Sequence, residues 1–344
     1  MAFKLGLIYF LSFILLSWIY HQGPEGMYGI GEVYPSFPLI EKKNQELRDH
    51  FKRKELANLL ISYAIGGSKG VSKDCKTEHR ALNLVHLFSP SGVHFTALMI
   101  WTLPFLWLLK RRSRKLHWLA SVFLWVIPLF LPGYYAIKRI CFLRIGHLLS
   151  SSLPFRPDQV TLFLIIFILD FLLGTYRYSP LSFVYSFLFL GILFALNAAP
   201  KLLLSFAFLG GQFIGSFFSL TTLTVAGFLW GQLLTALFTL FFPVLFFGYW
   251  LPMIFPYSWT EKTLALYEFL VSWAANFSLK TGEYYSSINL LLVTFLLFFP
   301  FFRYKLILLA LLLLFHSNPC FNESRSKFLA TASATRNLLE KTDN

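Results

Sequence analysis

Residues His86-Leu87-Phe88-Ser89-Pro90-Ser91-Gly92-Val93-His94 set two imidazoles, two hydroxyls, a proline and a glycine at the mouth of the apolar run Phe95–Leu109. Proline and glycine there leave backbone groups without helical partners. Lipid cannot satisfy such groups, so a broken helix survives only where it is buried in protein or lines a water-filled cavity. Residues 86–94 are therefore a pathway candidate, with His86, Ser91, Gly92 and His94 as the side chains and backbone that would shape it. The same histidines, with His79, raise metal binding. His86 and His94 stand about 80° apart on an ideal helix, but Pro90 breaks that helix and nearby carboxylates are limited to Asp74 and Glu78. No metal and no cofactor is assigned.

Charge is the second chemical signal. Lys138, Arg139 and Arg144 follow an apolar stretch and precede Leu148–Ser152. Ionisable groups at membrane depth are costly and face interior cavities. Such a lining would hold a phosphate backbone through charge, with binding that weakens in salt; snorkelling into headgroups accounts for the same residues. Asp170 lies inside Leu162–Leu173 and must be neutral, paired or facing water. Its partner is expected among Arg139, Arg144 and Arg177, and a structural pair and a transport role both fit. Glu268, within Leu264–Leu279, reads as a solvated face.

Most catalytic constellations are absent from the sequence. There is no His-Glu-x-x-His helix and no Gly-x-x-x-x-Gly-Lys-Ser/Thr loop. Gly66-Gly67-Ser68-Lys69-Gly70 matches Gly-x-Ser-x-Gly in letters, but a nucleophile elbow needs a strand before it and a helix after it. The expectation is a polar loop and a protein that is not an enzyme. Cys75, Cys141 and Cys320 show no Cys-x-x-Cys spacing, so neither a zinc ribbon nor a redox pair is indicated; Cys75 and Cys320 both fall on the outer face in the expected topology, which leaves their pairing open.

The elements that must position these residues are apolar helices. Hydrophobic residues make up 56% of the 344-residue chain and charged residues 13%. A bilayer core takes roughly 20 apolar residues as a helix. By that measure the spans are Phe3–Ile19, Leu84–Leu109, Leu116–Leu131, Val160–Gly174, Leu181–Ala199, Leu202–Leu220, Leu223–Phe247, Ile288–Phe302 and Leu306–Phe315. The expected fold is all-α: a polytopic helical membrane protein of about 8–10 spans, with a broken or re-entrant helix near residues 86–94. Residues 1–20 read as an uncleaved, signal-like first span, since bulky Ser17-Trp18-Ile19-Tyr20 offers no small-residue cleavage site. Residues 21–83 read as an outer-face polar region, 84–316 as the membrane core and 317–344 as a short polar tail.

Orientation follows the basic loops. Lys110-Arg111-Arg112-Ser113-Arg114-Lys115 carries five cations in six positions, and short loops of this kind stay in the cytoplasm. Arg303-Tyr304-Lys305 points the same way. Residues 41–56 hold six Lys or Arg interleaved with Glu41, Glu46, Asp49 and Glu55, and read as an amphipathic helix near the membrane surface. The net charge of +14 invites a polyanion partner, and positive-inside loops produce the same excess without one.

The segment His86–His94 resembles the hallmark of the ComEC competence-protein family, His-Leu-Leu-Ala-Ile-Ser-Gly-Leu-His, through His86, Leu87, Ser91, Gly92 and His94. Ser89-Pro90 replaces Ala-Ile, and Phe95-Thr96 departs from Val-Gly. Leu131-Pro132-Gly133-Tyr134-Tyr135-Ala136-Ile137-Lys138-Arg139 is similar to the family's glycine-then-arginine segment, with Ile140 in place of alanine. Ser179-Pro180-Leu181-Ser182-Phe183-Val184-Tyr185-Ser186-Phe187 is similar to its Pro…Phe-Gln-Leu-Ser-Phe block, with Val184 in place of glutamine. The blocks cover about residues 57–250 in the family's order.

The resemblance implies an inner-membrane, multi-pass channel for entry of single-stranded DNA into the cytoplasm during natural transformation. Gly133, Lys138, Arg139, Arg144 and Ser186 would join the 86–94 segment as channel residues. It also implies an ATP-driven translocase on the cytoplasmic side, and separate DNA-binding and nuclease proteins in place of the OB-fold and metallo-β-lactamase-like domains of full-length members. The competing reading is a membrane transporter for another solute, or a scaffold, that keeps the competence core. Aromatic residues are 19% of the chain. Bases stack on aromatic rings, but Phe belongs in lipid and Trp or Tyr at interfaces, so Tyr134, Tyr135 and Tyr185, inside the blocks, are the rings singled out.

Overall fold

Long runs of Leu, Phe and Ile without interior charge form about half of the helices, and short polar or glycine-bearing breaks end them. The computed structural model describes residues 2–22, 37–67, 70–130, 134–150, 157–197, 199–219, 222–280 and 284–285. The helices are α1 (Ala2–His21), α2 (Pro38–His50), α3 (Lys54–Ile65), α4 (Lys73–Ala81), α5 (Gly92–Arg112), α6 (Arg114–Phe130), α7 (Tyr135–Ser150), α8 (Gln159–Leu172), α9 (Pro180–Ala195), α10 (Lys201–Ser219), α11 (Val225–Trp250) and α12 (Tyr257–Lys280). The described residues are otherwise loops, two 3-10 turns and one short antiparallel pairing of Thr222–Leu223 with Tyr284–Tyr285.

Local chemistry sets several helix starts. Side-chain oxygens accept from orphan N–H groups in the first turn: Ser72 from Cys75 N–H on α4, Asp158 from Thr161 N–H on α8, and Thr224 from Gly227 N–H on α11. Pro38 and Pro180 open α2 and α9, positions where a missing N–H costs nothing.

Among the described residues three helices are long and apolar enough to cross a membrane: Phe3–His21, Gly92–Arg112 and Ala226–Trp250. Gln159–Leu172, Pro180–Ala195 and Leu202–Phe218 are apolar but shorter. The described residues are thus almost wholly helical, with three candidate spans among them; several of the apolar runs read from hydropathy form helices shorter than a span. Leu84–Leu109 is not one helix; a 3-10 turn (Val85–Phe88) precedes α5, which starts only at Gly92. Helix α7, diluted by polar residues, lies outside the hydropathy spans, and the stretch Leu264–Leu279 is part of the longer α12. The runs Ile288–Phe302 and Leu306–Phe315, the tail 317–344, Cys320 and Gly133 lie outside the described residues.

The buried side chains form two apolar cores. One gathers α2, α3, α4, the 3-10 turn, the start of α5, α11 and α12 around Leu60, Tyr63, Leu87, Phe238, Tyr267 and Val271. The other gathers α1, α8, α9 and α10 around Ile8, Phe163, Phe167, Phe183, Phe187 and Ile214, with Leu143 of α7. The hairpin α5–α6 and the following α7 run between them, α5 packing on α11 and α7 on α8.

Backbone packs on backbone where the first core meets the turn after α4. A Cβ on Gly231 would lie 2.1 Å from the Leu82 carbonyl oxygen, and one on Gly227 would lie 2.2 Å from that of Ala81. Only glycine admits that approach.

Residues 41–56 are corrected from one surface helix to two. Phe51 caps α2 in extended backbone and α3 begins at Lys54. The first of them is docked on the protein: Leu47 is fully buried, which contributes about 1.5–3 kcal/mol. Tyr249 donates to Asn44 at 2.7 Å and Tyr257 to Glu46 at 2.8 Å. Glu268 is likewise not a solvated face. It pairs with Arg53 at 3.0 Å, and burial pushes its carboxyl above the usual range.

Candidate functional site

Segment 86–94 folds as a cap rather than an open coil. Its 3-10 turn carries Leu87 and Phe88 into the first core and leaves His86 exposed. The Phe88 carbonyl accepts from Gly67 N–H at 2.8 Å, so the glycine loop acts as a backbone clamp on this turn. Ser91 is the N-cap of α5, and its N–H donates to His94 Nδ1 at 3.1 Å. That bond makes Nδ1 an acceptor, which assigns the neutral ring's proton to Nε2. Nε2 is buried and, among the described residues, has no hydrogen-bond partner. The ring stands edge-on to Phe238 at 5.0 Å and Phe242 at 4.7 Å, where an N–H can point at a negative aromatic face. His94 is therefore a peg between α5 and α11, with 2% of its surface exposed.

Under the turn lies a hydrogen-bonded set that the sequence did not advertise. His79 Nδ1–H donates to the Cys75 carbonyl at 2.7 Å, and Tyr63 O–H donates to His79 Nε2 at 2.6 Å. The only sequence signal is Cys75 and His79 four apart on one helix face. Tyr63 comes from α3, and its ring stacks on Phe88 and meets Phe238 edge-on. Burial holds His79 down at about 4, pushes the Cys75 thiol up to about 12 and raises the Tyr63 phenol. All three groups are neutral near pH 7, so this is a structural relay and not a thiolate–imidazolium nucleophile.

Arg139 sits in the second core. Its Nε–H donates to Asp170 at 2.8 Å, and Nη1 donates to Ser186 Oγ at 3.1 Å and to the Ser182 carbonyl at 3.3 Å. The guanidinium lies 5.0 Å from the Phe183 ring centre. Arg139 is 1% exposed and Asp170 5%. Of the three expected partners of Asp170, the fold selects Arg139, and this corrects the expectation that Arg139 lines a phosphate path. A charge buried in an apolar core is tolerable only when paired and hydrogen-bonded. Arg144 is exposed, 5.6 Å from the Trp125 ring, and Arg177 is exposed beside Tyr176. Lys138 is half-buried, 5.4 Å from the Tyr135 ring. Tyr185 donates to the Gly215 carbonyl at 3.4 Å, tying α9 to α10.

These separate pieces meet. A Cβ on Gly92 would lie 2.6 Å from Ile140 Cδ1, so the start of α5 rests on the residue that follows Arg139. Arg139 in turn binds Ser182 and Ser186. The segments 86–94, 134–140 and 179–187, far apart in sequence, thus form one chain of contact along the seam between the two cores. The basic cluster Lys110–Lys115 is not part of this junction. It forms the exposed tip of the α5–α6 hairpin, with Arg111 3.6 Å from the Trp107 ring.

Among the described residues no group of three or more His, Cys, Asp or Glu comes within reach of a single metal ion. No protein-family model, curated protein or solved structure matches this chain.

Proposed function

We propose that this chain is a multi-pass channel of the inner membrane that admits single-stranded DNA to the cytoplasm. One observation carries the reading: the three blocks that resemble the competence core meet through Gly92–Ile140 and Arg139–Ser182/Ser186. Sequence resemblance gives no reason for distant blocks to touch unless they build one device. In this reading α1, α5 and α11 cross the bilayer, with the shorter apolar helices α8, α9 and α10 packed among them. Arg139 is a positioning residue that holds α7 against α8 and α9. The cations left to meet phosphate are Lys138 and Arg144, and the basic hairpin tip faces the cytoplasm, where an ATP-driven translocase would draw in the strand.

The test is entry of labelled DNA into the cytoplasm. Deleting the gene should abolish entry and leave DNA binding at the outer face intact. Gly92→Val should reduce entry by forcing Ile140 away, at a packing cost of about 1–3 kcal/mol, and a companion Ile140→Ala should restore it. Unchanged entry in the deletion strain would defeat the reading.

A second reading draws on the engagement of Arg139 by Asp170: a scaffold, or a transporter of another solute, needs that pair only to hold helices together. Under it the deletion leaves transformation intact and disturbs a different envelope trait.

A further inference from the structure

Next to the buried ion pair, the same helix presents a different surface. Tyr135 of α7 and Tyr178, which follows the 3-10 turn Thr175–Arg177, stack with ring centres 5.2 Å apart and planes within 16°. Lys138 Nζ lies 5.4 Å from the Tyr135 ring centre. Arg177 is exposed, 6.0 Å from the Tyr176 ring centre, and Tyr176 stacks on Phe171 at 4.5 Å. Tyr178 is 37% exposed. Among the described residues neither Lys138 nor Arg177 has an ion-pair partner.

The platform is held rigidly from beneath. Asp170 fixes Arg139, the neighbour of Lys138, and so fixes the rotation of α7. The Asp170 carbonyl accepts from Thr175 Oγ1 at 3.0 Å, and Gly174 in left-handed backbone turns the chain into the 3-10 turn. Tyr134, just ahead of Tyr135, also has a left-handed φ of 55°. A non-glycine residue in that region is held there by its surroundings. Two stacked rings, with cations beside them that are unpaired with any acid among the described residues, suit a ligand that alternates flat faces with negative charge.

We infer that Tyr135, Tyr178, Lys138 and Arg177 form a nucleotide-stacking subsite for a single strand, in which a base continues the Tyr135–Tyr178 stack and a flanking phosphate meets Lys138 or Arg177. The inference rests on the channel reading and names where that channel first grips the strand. Interfacial tyrosines that anchor a protein in headgroups do so through the hydroxyl at a ring's edge. Here the faces are aligned instead, which is what base stacking uses.

The test uses the full chain in nanodiscs of phosphatidylcholine with fluorescein-labelled oligo(dT), read by anisotropy across a salt series. Tyr178→Ala should weaken binding about 5- to 150-fold, the range expected for one lost stack, whereas Tyr178→Phe and Tyr178→Trp keep it. Lys138→Gln should lower the slope of log affinity against log salt by about 0.7. Wild-type affinity in Tyr178→Ala, or an equal loss in Tyr178→Phe, overturns the subsite. So does a Tyr178→Ala variant that changes only retention in the lipid disc, the outcome expected of a headgroup anchor. If the oligonucleotide binds and Tyr178→Ala is inert while gene deletion still blocks DNA entry, the subsite fails and the channel stands. If the wild type does not bind and deletion leaves entry unchanged, both fall.

Discussion

The two cores treat buried polarity in opposite ways. Around α3, α4 and α11 the polar groups are neutral: Tyr63, His79 and the Cys75 carbonyl pass one line of hydrogen bonds, and His94 sits among phenylalanine rings. Around α7, α8 and α9 the polar group is a full ion pair, Arg139–Asp170, at 1% and 5% exposure. A neutral relay is inexpensive to bury but can be charged by acid. A buried pair tolerates no loss of a partner, because the remaining charge has no solvent to turn to. The segment joining the cores, from Gly92 to Ile140, therefore connects a neutral relay to a charged pair.

That contrast can be broken most sharply at the ion pair. Asp170→Ala should cost about 3–5 kcal/mol by stranding Arg139, seen as a large drop in thermal stability of the detergent-solubilised protein. The double replacement Asp170→Leu with Arg139→Met should recover most of it, since apolar pairs of similar volume substitute well for buried ions.

Next in size is the backbone approach in the other core. Gly231→Ala places a methyl group against the Leu82 carbonyl, a backbone atom with nowhere to go, and should cost about 1–3 kcal/mol or more. Gly248→Ala meets the Thr260 side chain instead, and a rotated threonine should leave a smaller loss in the same melting assay.

The relay is tested by acid. The His79 ring titrates at about 4 in the folded protein against 6.5 for an unhindered imidazole. Above pH 6.5 it is neutral in both states and pH has no effect. Between about 6.5 and 4 the unfolded chain binds the extra proton, so stability should fall as pH drops, by about 1 kcal/mol per pH unit. His79→Gln should make that part of the melting-temperature profile shallower. Tyr63→Phe leaves an acceptor nitrogen buried without a donor, for about 1–3 kcal/mol at neutral pH.

The smallest effect belongs to the surface. Arg53, half exposed in its pair with Glu268, should yield no more than about 1 kcal/mol on Arg53→Ala, and less in high salt.

Much of the helix pattern was readable in advance because it depends on local composition. Phe3–Ile19 appears within α1, Val160–Gly174 as α8, Leu181–Ala199 as α9 and Leu223–Phe247 as α11, each within a few residues. The break at 86–94 was readable for the same reason, since Pro90 lacks a backbone donor and disfavours helical backbone in the residue before it. α7 was not, because Lys138, Arg139 and Arg144 lower its hydropathy; only burial of Arg139 against α8 and α9 reveals how it fits. Tyr63 and Tyr178 were also invisible, since the importance of each comes from a partner on another helix.

The sequence by itself determined that this chain is helical, where its apolar helices lie and where one of them must break, because those are matters of hydropathy and backbone chemistry within a single stretch. Only the tertiary structure decided which arginine Asp170 would take, that His94 is a peg and that Gly92 rests on Ile140. Each of those outcomes depends on which helices come into contact. In an apolar interior a charge or a donor must find a partner wherever the packing supplies one.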